Sequence, residues 1–225
     1  LNRQDARRIA AALVERHTHA KVADLRIPDI GMLARAHSMK VAQIARDIPE
    51  LATEELRIAA SHQTDRLQEQ QNELVGRIDA GRIRASVVSL GIDAISLQPN
   101  SDVHIETQQE GEPGDVCIEL AGLSVGLSAA GRADAAEALI ADYADCTGDF
   151  GLYEFVNYYE FSTALARVAE AAEGVAKACD HESREAAIAA ARRFVTIALA
   201  CDRRKARPPL VLGTGGLVAS GQSTR

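Results

Sequence analysis

At 225 residues, with 47% of them hydrophobic, the chain is long enough to bury a core as one large domain, or as one and a half. The apolar residues are mostly Ala, Leu, Ile and Val. There is no Trp and only 4% aromatic content, which favours helices and leaves little platform for stacking bases. A net charge of -7 argues against general affinity for nucleic acid. Neither a signal peptide nor a long apolar run is evident, and Cys117, Cys146, Cys179 and Cys201 stand singly, without C-x-x-C spacing. The expectation is a cytoplasmic protein with reduced cysteines and no membrane partner.

From the N-terminal side, Ile9, Ala12, Leu13 and Ala20 fall at helical spacing and predict a helix over 5–20. His17 and His19 within it are two apart and face different sides, so they read as ordinary helix histidines and not as metal ligands. A second helix is expected over 33–48, ending before Pro49. Residues 53–80 form a long, polar, Gln-rich stretch with a thin apolar stripe at Leu56, Ala59, Leu67, Leu74 and Ile78, and Gly81 closes it as a C-cap. Between 82 and 119 short β-type runs at Ile83, Val87, Ile95, Leu97, Val103 and Ile105 are cut by Gly91, Pro99, Asn100 and Gly111, which suggests two hairpin-like pieces. Helical periodicity then returns over 115–128, 132–143, 152–178 and 183–204, punctuated by Gly131, Gly148 and Cys179-Asp180. The cations Arg203, Arg204, Lys205 and Arg207 suit the C-terminal end of the last helix dipole. The fold class expected is mainly α with a small β insertion.

After a linker at 205–209, Leu210, Val211 and Leu212 read as a short buried strand, and the next residues spell a phosphate-binding loop. Gly216, Gly221, Ser223 and Thr224 fit the pattern G-x-x-x-x-G-K-[ST], with Gln222 where the pattern has lysine. Such a loop holds phosphate through converging amides, the positive end of the following helix, and the lysine charge. With Leu1 at one end and Arg225 at the other, the sequence reads as a truncated chain, and the segment after Lys205 is expected to be loosely docked.

Ordered motifs along the middle of the chain resemble a bacterial two-domain kinase family, in which an aminoglycoside-phosphotransferase-like domain is fused to a C-terminal P-loop kinase domain. The match is carried by Arg77-Ile78-Asp79-Ala80-Gly81-Arg82-Ile83-Arg84, by Ile105-Glu106, and by the run from Gly114 through Asp115, Cys117, Glu119 and Ala121 to Leu123. Gly131-Arg132, then Tyr143 with Gly148-Asp149 and Leu152-Tyr153, and Tyr158-Tyr159-Glu160 continue it in order. The resemblance implies that residues 1–204 are the helical C-lobe of a protein-kinase-like fold, without its N-lobe, and that 210–225 begin an α/β P-loop domain of the AAA type. It also implies ATP and Mg2+ as cofactors and a small-molecule acceptor.

The resemblance also locates departures. Ser89 falls at the family's catalytic aspartate, Ala94 at a metal-binding position, Val103 at the aspartate before Ile105-Glu106, and Thr163 at an arginine. Phosphoryl transfer rests on carboxylates that orient the acceptor and hold magnesium. Asp93 and Asp102 lie beside these positions but would restore ligands only by a slip at two sites together. Glu106 and Asp115 read as solvated or capping residues. No catalytic residue is therefore intact, and Gly216, Gly221, Gln222, Ser223 and Thr224 are the candidate nucleotide contacts. Three functions follow as expectations: an impaired ATP-dependent phosphotransferase, a pseudokinase-like binding or regulatory module with a protein partner, or a decayed gene product.

Overall fold

A computed structural model describes residues 2–23, 30–98, 102–106 and 111–204. Eight helices are present among them: α1 Arg3–His19, α2 Ile30–Asp47, α3 Glu54–Glu69, α4 Gln71–Asp79, α5 Cys117–Ala129, α6 Ala133–Thr147, α7 Leu152–Lys177 and α8 His181–Arg203. Four short strands lie between α4 and α5: β1 Ile83–Val87, β2 Ile95–Leu97, β3 Val103–Ile105 and β4 Glu112–Asp115. The expected mainly helical chain with a small β insertion is what forms. The linker, the strand and the P-loop residues Gly216, Gly221, Gln222, Ser223 and Thr224 lie outside the described residues.

Local chemistry sets the helix starts. Asn2 Oδ1 accepts the backbone N–H groups of Gln4 and Asp5 while Asp5 answers by accepting the Asn2 N–H, so α1 opens with a reciprocal capping box. Thr53 caps α3 and Asp180 caps α8. The single helix expected over 53–80 is broken, because Gln70 ends α3 and begins α4 with a ψ of 22°. The turn lets α4 deliver Arg77 inward while the polar face of α3 stays wet.

The strands form two antiparallel pairs. β2 and β3 make a hairpin in the register Ile95↔Ile105 and Leu97↔Val103. β1 does not join it; β1 pairs with the distant β4, Ile83 opposite Asp115, with an irregularity between Arg84 and Val87. Residue 115, expected to open a helix, is thus the last residue of a strand. Lys21, Val22 and Ala23 bridge to the other edge of β1.

The apolar core falls into two clusters joined by α5 and α7. One packs α1, α5, α6 and the first turns of α7 around Leu13, Leu120, Leu139, Tyr143 and Phe155. The other packs α2, α3, α8 and the rest of α7 around Ile44, Leu56, Phe161, Leu165 and Val168. Fully burying a side chain of this size contributes about 1.5–3 kcal/mol. Helix α7 runs through both clusters, and its residues between them line a cleft.

Candidate functional site

Beneath the cleft lies a buried ionic knot. Arg77 Nε and Nη2 donate to Asp115 Oδ2 and Oδ1 at 2.6 and 2.8 Å, and Nη1 donates to Asp149 Oδ1 at 2.9 Å. Asp115 Oδ1 also accepts the Cys117 N–H at the start of α5, and the guanidinium lies 5.5 Å from the Phe155 ring centroid. Burial opposes the Arg77 charge, but the carboxylates of Asp115 and Asp149 outweigh it and hold the guanidinium protonated. Burial, reinforced by Asp115, pushes the Cys117 thiol well up, so it stays a thiol. Asp115 is therefore neither solvated nor a simple cap, as the sequence suggested. It is half of a bidentate pair that ties β4 to α4.

A second network fixes the loop after β1. His17 is buried, with Nδ1 2.8 Å from the Tyr143 hydroxyl and Nε2 3.0 Å from Glu119 Oε2. Glu119 also accepts from Arg16 at 3.2 Å and from the Val88 backbone N–H at 3.2 Å. Burial alone would raise the Glu119 carboxyl, but His17 and Arg16 more than offset it and the Val88 N–H adds to them, so it sits below the ordinary range. Two residues further, Leu90 lies against α5 at Gly122, where any Cβ would run into the Leu90 backbone. Tied at Val88 and seated at Leu90, the loop presents Ser89 between them, exposed.

Ser89 opens onto a cleft between α2 and α7 whose two cavities, of about 270 and 230 Å³, share Leu33, Ile118, Tyr158 and Tyr159. Helix α2 contributes Leu33, His37 and Lys40, which recur at spacings of four and three and so share one face. Helix α7 contributes Tyr158, Tyr159, Ser162 and Thr163. His37 Nε2 lies 2.7 Å from Ser162 Oγ, joining the helices across the cleft floor. Burial, and then the nearby Lys40, lower His37 to about 4, so the ring is neutral at ordinary pH. Burial also raises the Tyr158 phenol, an effect Ser162 partly offsets, and raises Tyr159 well above its usual value.

No family model, curated protein or solved structure matches the chain. The site therefore has to be weighed from its own residues.

Of the positions singled out in the sequence, Ser89 and Thr163 meet on this cleft. Ala94 and Val103 do not; they belong to the β2–β3 arm, where Ala94 accepts the Glu106 N–H at 2.9 Å and Val103 pairs with Leu97. Asp93 lines a different cavity of about 570 Å³, beside Arg167 and Arg193, so it is not placed to replace the carboxylate missing at Ser89. Asp102 and Glu106 are exposed on the hairpin. Among the described residues no group of three or more His, Cys, Asp or Glu side chains could hold a metal ion. Serine, alanine and valine at the three implied positions do not fit the Mg2+ that the kinase resemblance brings with it.

Sequence reasoning missed His37, Lys40 and Ser162. Their signal was present in the helical spacing of Leu33, His37 and Lys40, which places two polar residues on the buried side of an otherwise apolar stripe. It also missed His17 as a buried partner of Glu119, 102 positions away. No described helix is long and apolar enough to cross a membrane.

Proposed function

We propose that this chain is a non-catalytic relative of the phosphotransferase kinases: a C-lobe-like helical body whose former catalytic loop now helps to hold a ligand instead of transferring a phosphoryl group. The observation that carries this reading is the contrast in where the acidic residues lie. Asp115, Asp149, Glu119 and Glu160 are all buried and engaged by Arg77, His17, Arg16, Ser124 or Arg204. The loop that opens on the cleft offers a hydroxyl at Ser89 and no carboxylate.

The order of elements supports the kinase ancestry: a strand, a fixed loop at 88–91, a short hairpin, then an acidic pair leading into a buried helix. A phosphotransferase active in this chain would need a carboxylate near the acceptor and metal ligands beside it, and removal of a positioned acid or base lowers rate by about 10²- to 10⁴-fold.

The test is a phosphoryl-transfer assay on the 225-residue chain with Mg-ATP and a panel of hydroxyl acceptors, alongside thermal melting with and without Mg-ATP. No turnover is expected. Transfer that disappears in Ser89→Ala would overturn the proposal.

A further inference from the structure

Three polar groups on the cleft have no hydrogen-bond or ion-pair partner among the described residues. They are the hydroxyls of Ser89 and Thr163 and the ammonium of Lys40, whose residues line the same cavity. A few polar groups converging on a concave surface beside an apolar lining are the usual make-up of a small-molecule site. Their chemistry limits what completes them. Among the described residues Lys40 is the only charged side chain lining this cavity, and the adjoining one has only Asp115, already gripped by Arg77. One cation with the Ser89 and Thr163 hydroxyls suits a single negative charge. A dianion would exceed it, and a cation would meet Lys40 with nothing opposite.

The other half of the cleft is apolar. Leu74, Ile78, Ile83 and Pro113 line it, and the rings of Tyr158 and Tyr159 stand between the halves at 5.3 Å in an edge-to-face arrangement. Drug-sized sites run to roughly 300–1,000 Å³, and two joined cavities of about 270 and 230 Å³ suit one ring and a short arm.

We infer that the cleft between α2 and α7 binds a small aromatic monocarboxylate, with its ring among Ile83, Pro113 and the two tyrosines and its carboxylate at Lys40, Ser89 and Thr163. This deepens the binding reading above and rests on it. The neutral His37–Ser162 pair forms the floor and keeps the two helices at the separation that the ligand spans.

Phenylacetate, phenethylamine and phenyl phosphate, titrated into the 225-residue chain by calorimetry, test the inference, with ligand-to-tyrosine nuclear Overhauser effects recorded on the unsubstituted protein. Phenylacetate is expected to bind saturably, to show contacts to Tyr158 and Tyr159, and to weaken about fivefold or more in Lys40→Met and less in Thr163→Val. Phenethylamine is expected not to bind, and phenyl phosphate to bind more weakly than the carboxylate. Arg193→Ala, at the separate cavity, serves as the unaffected control. No saturable phenylacetate binding, equal binding of the amine, or tyrosine contacts absent from the unsubstituted protein would overturn it. The tyrosine contacts decide the matter even if Lys40→Met fails to fold. Phosphoryl transfer in the parallel assay would instead sink the non-catalytic reading, so the two failures are separable.

Discussion

The knot at Arg77 and the cleft at Ser89 lie within one lobe and treat polar groups in opposite ways. In the knot each charged atom meets a protein partner and the side chains are nearly closed to solvent. In the cleft Ser89, Thr163 and Lys40 line an open cavity and have no hydrogen-bond or ion-pair partner among the described residues. Groups satisfied within the fold serve stability and geometry, whereas groups left unsatisfied on a concave surface are available to something outside it. The position of a conspicuous acidic residue in a motif therefore says less about function than whether its oxygens are already taken.

The comparison breaks most sharply at Arg77. Arg77→Met removes the cation and leaves Asp115 and Asp149 buried beside each other, for an expected loss of about 3–5 kcal/mol in urea unfolding. A loss below about 1 kcal/mol would mean that the knot is not what holds β4 against α4.

Acid is expected to act next, through His37. Its folded-state value of about 4 lies below the ordinary 6.5, so between those pH values the unfolded chain binds the extra proton and the folded chain does not. Stability present above pH 6.5 is lost as pH falls toward 4, by up to about 3 kcal/mol, and levels off below that. Around this ring stand Lys40, Tyr158, Phe161 and Ser162. Glu119 adds a separate loss, because its lowered value makes its contribution present above its usual 4.5 and lost below it. Unfolding curves at several pH values should flatten between 6.5 and 4 in His37→Gln and keep the more acidic portion.

Gly122→Val forces a branched side chain into the Leu90 backbone, with an expected destabilisation of about 1–3 kcal/mol and a displaced Ser89 loop. Melting temperature and the amide shifts of residues 88–91 measure both. The smallest effects belong to the cleft itself. Ser89→Ala and Thr163→Val should change stability by no more than about 0.5 kcal/mol, since neither hydroxyl has a described partner to lose. Larger losses would place these residues with the knot.

Much of the helical body was legible because apolar spacing and capping residues are local signals. α1, α2, α7 and α8 begin and end within a few residues of where periodicity and turn chemistry place them. The break at Gln70 was not, as the residues on both sides favour helix and only the inward delivery of Arg77 gives the turn a purpose. Pairing of β1 with β4 was also hidden, because Ile83 and Asp115 meet across an intervening hairpin whose own strands look just as ready to pair. The candidate site was half visible. Ser89 and Thr163 stood out by comparison with a kinase pattern, whereas His37 and Lys40 acquire meaning only once α2 lies along α7.

By accepting from Arg16 and His17 on α1 and from the Val88 amide on the loop, the Glu119 carboxylate joins the first helix to the mouth of the cleft. Detachment of α1 would strip that carboxylate of its two side-chain partners on α1 and free the Val88 proton to solvent in the same event. Deuterium uptake at that single amide should therefore keep time with the opening of α1, so that fraying at one end of the lobe is registered at the rim of the site.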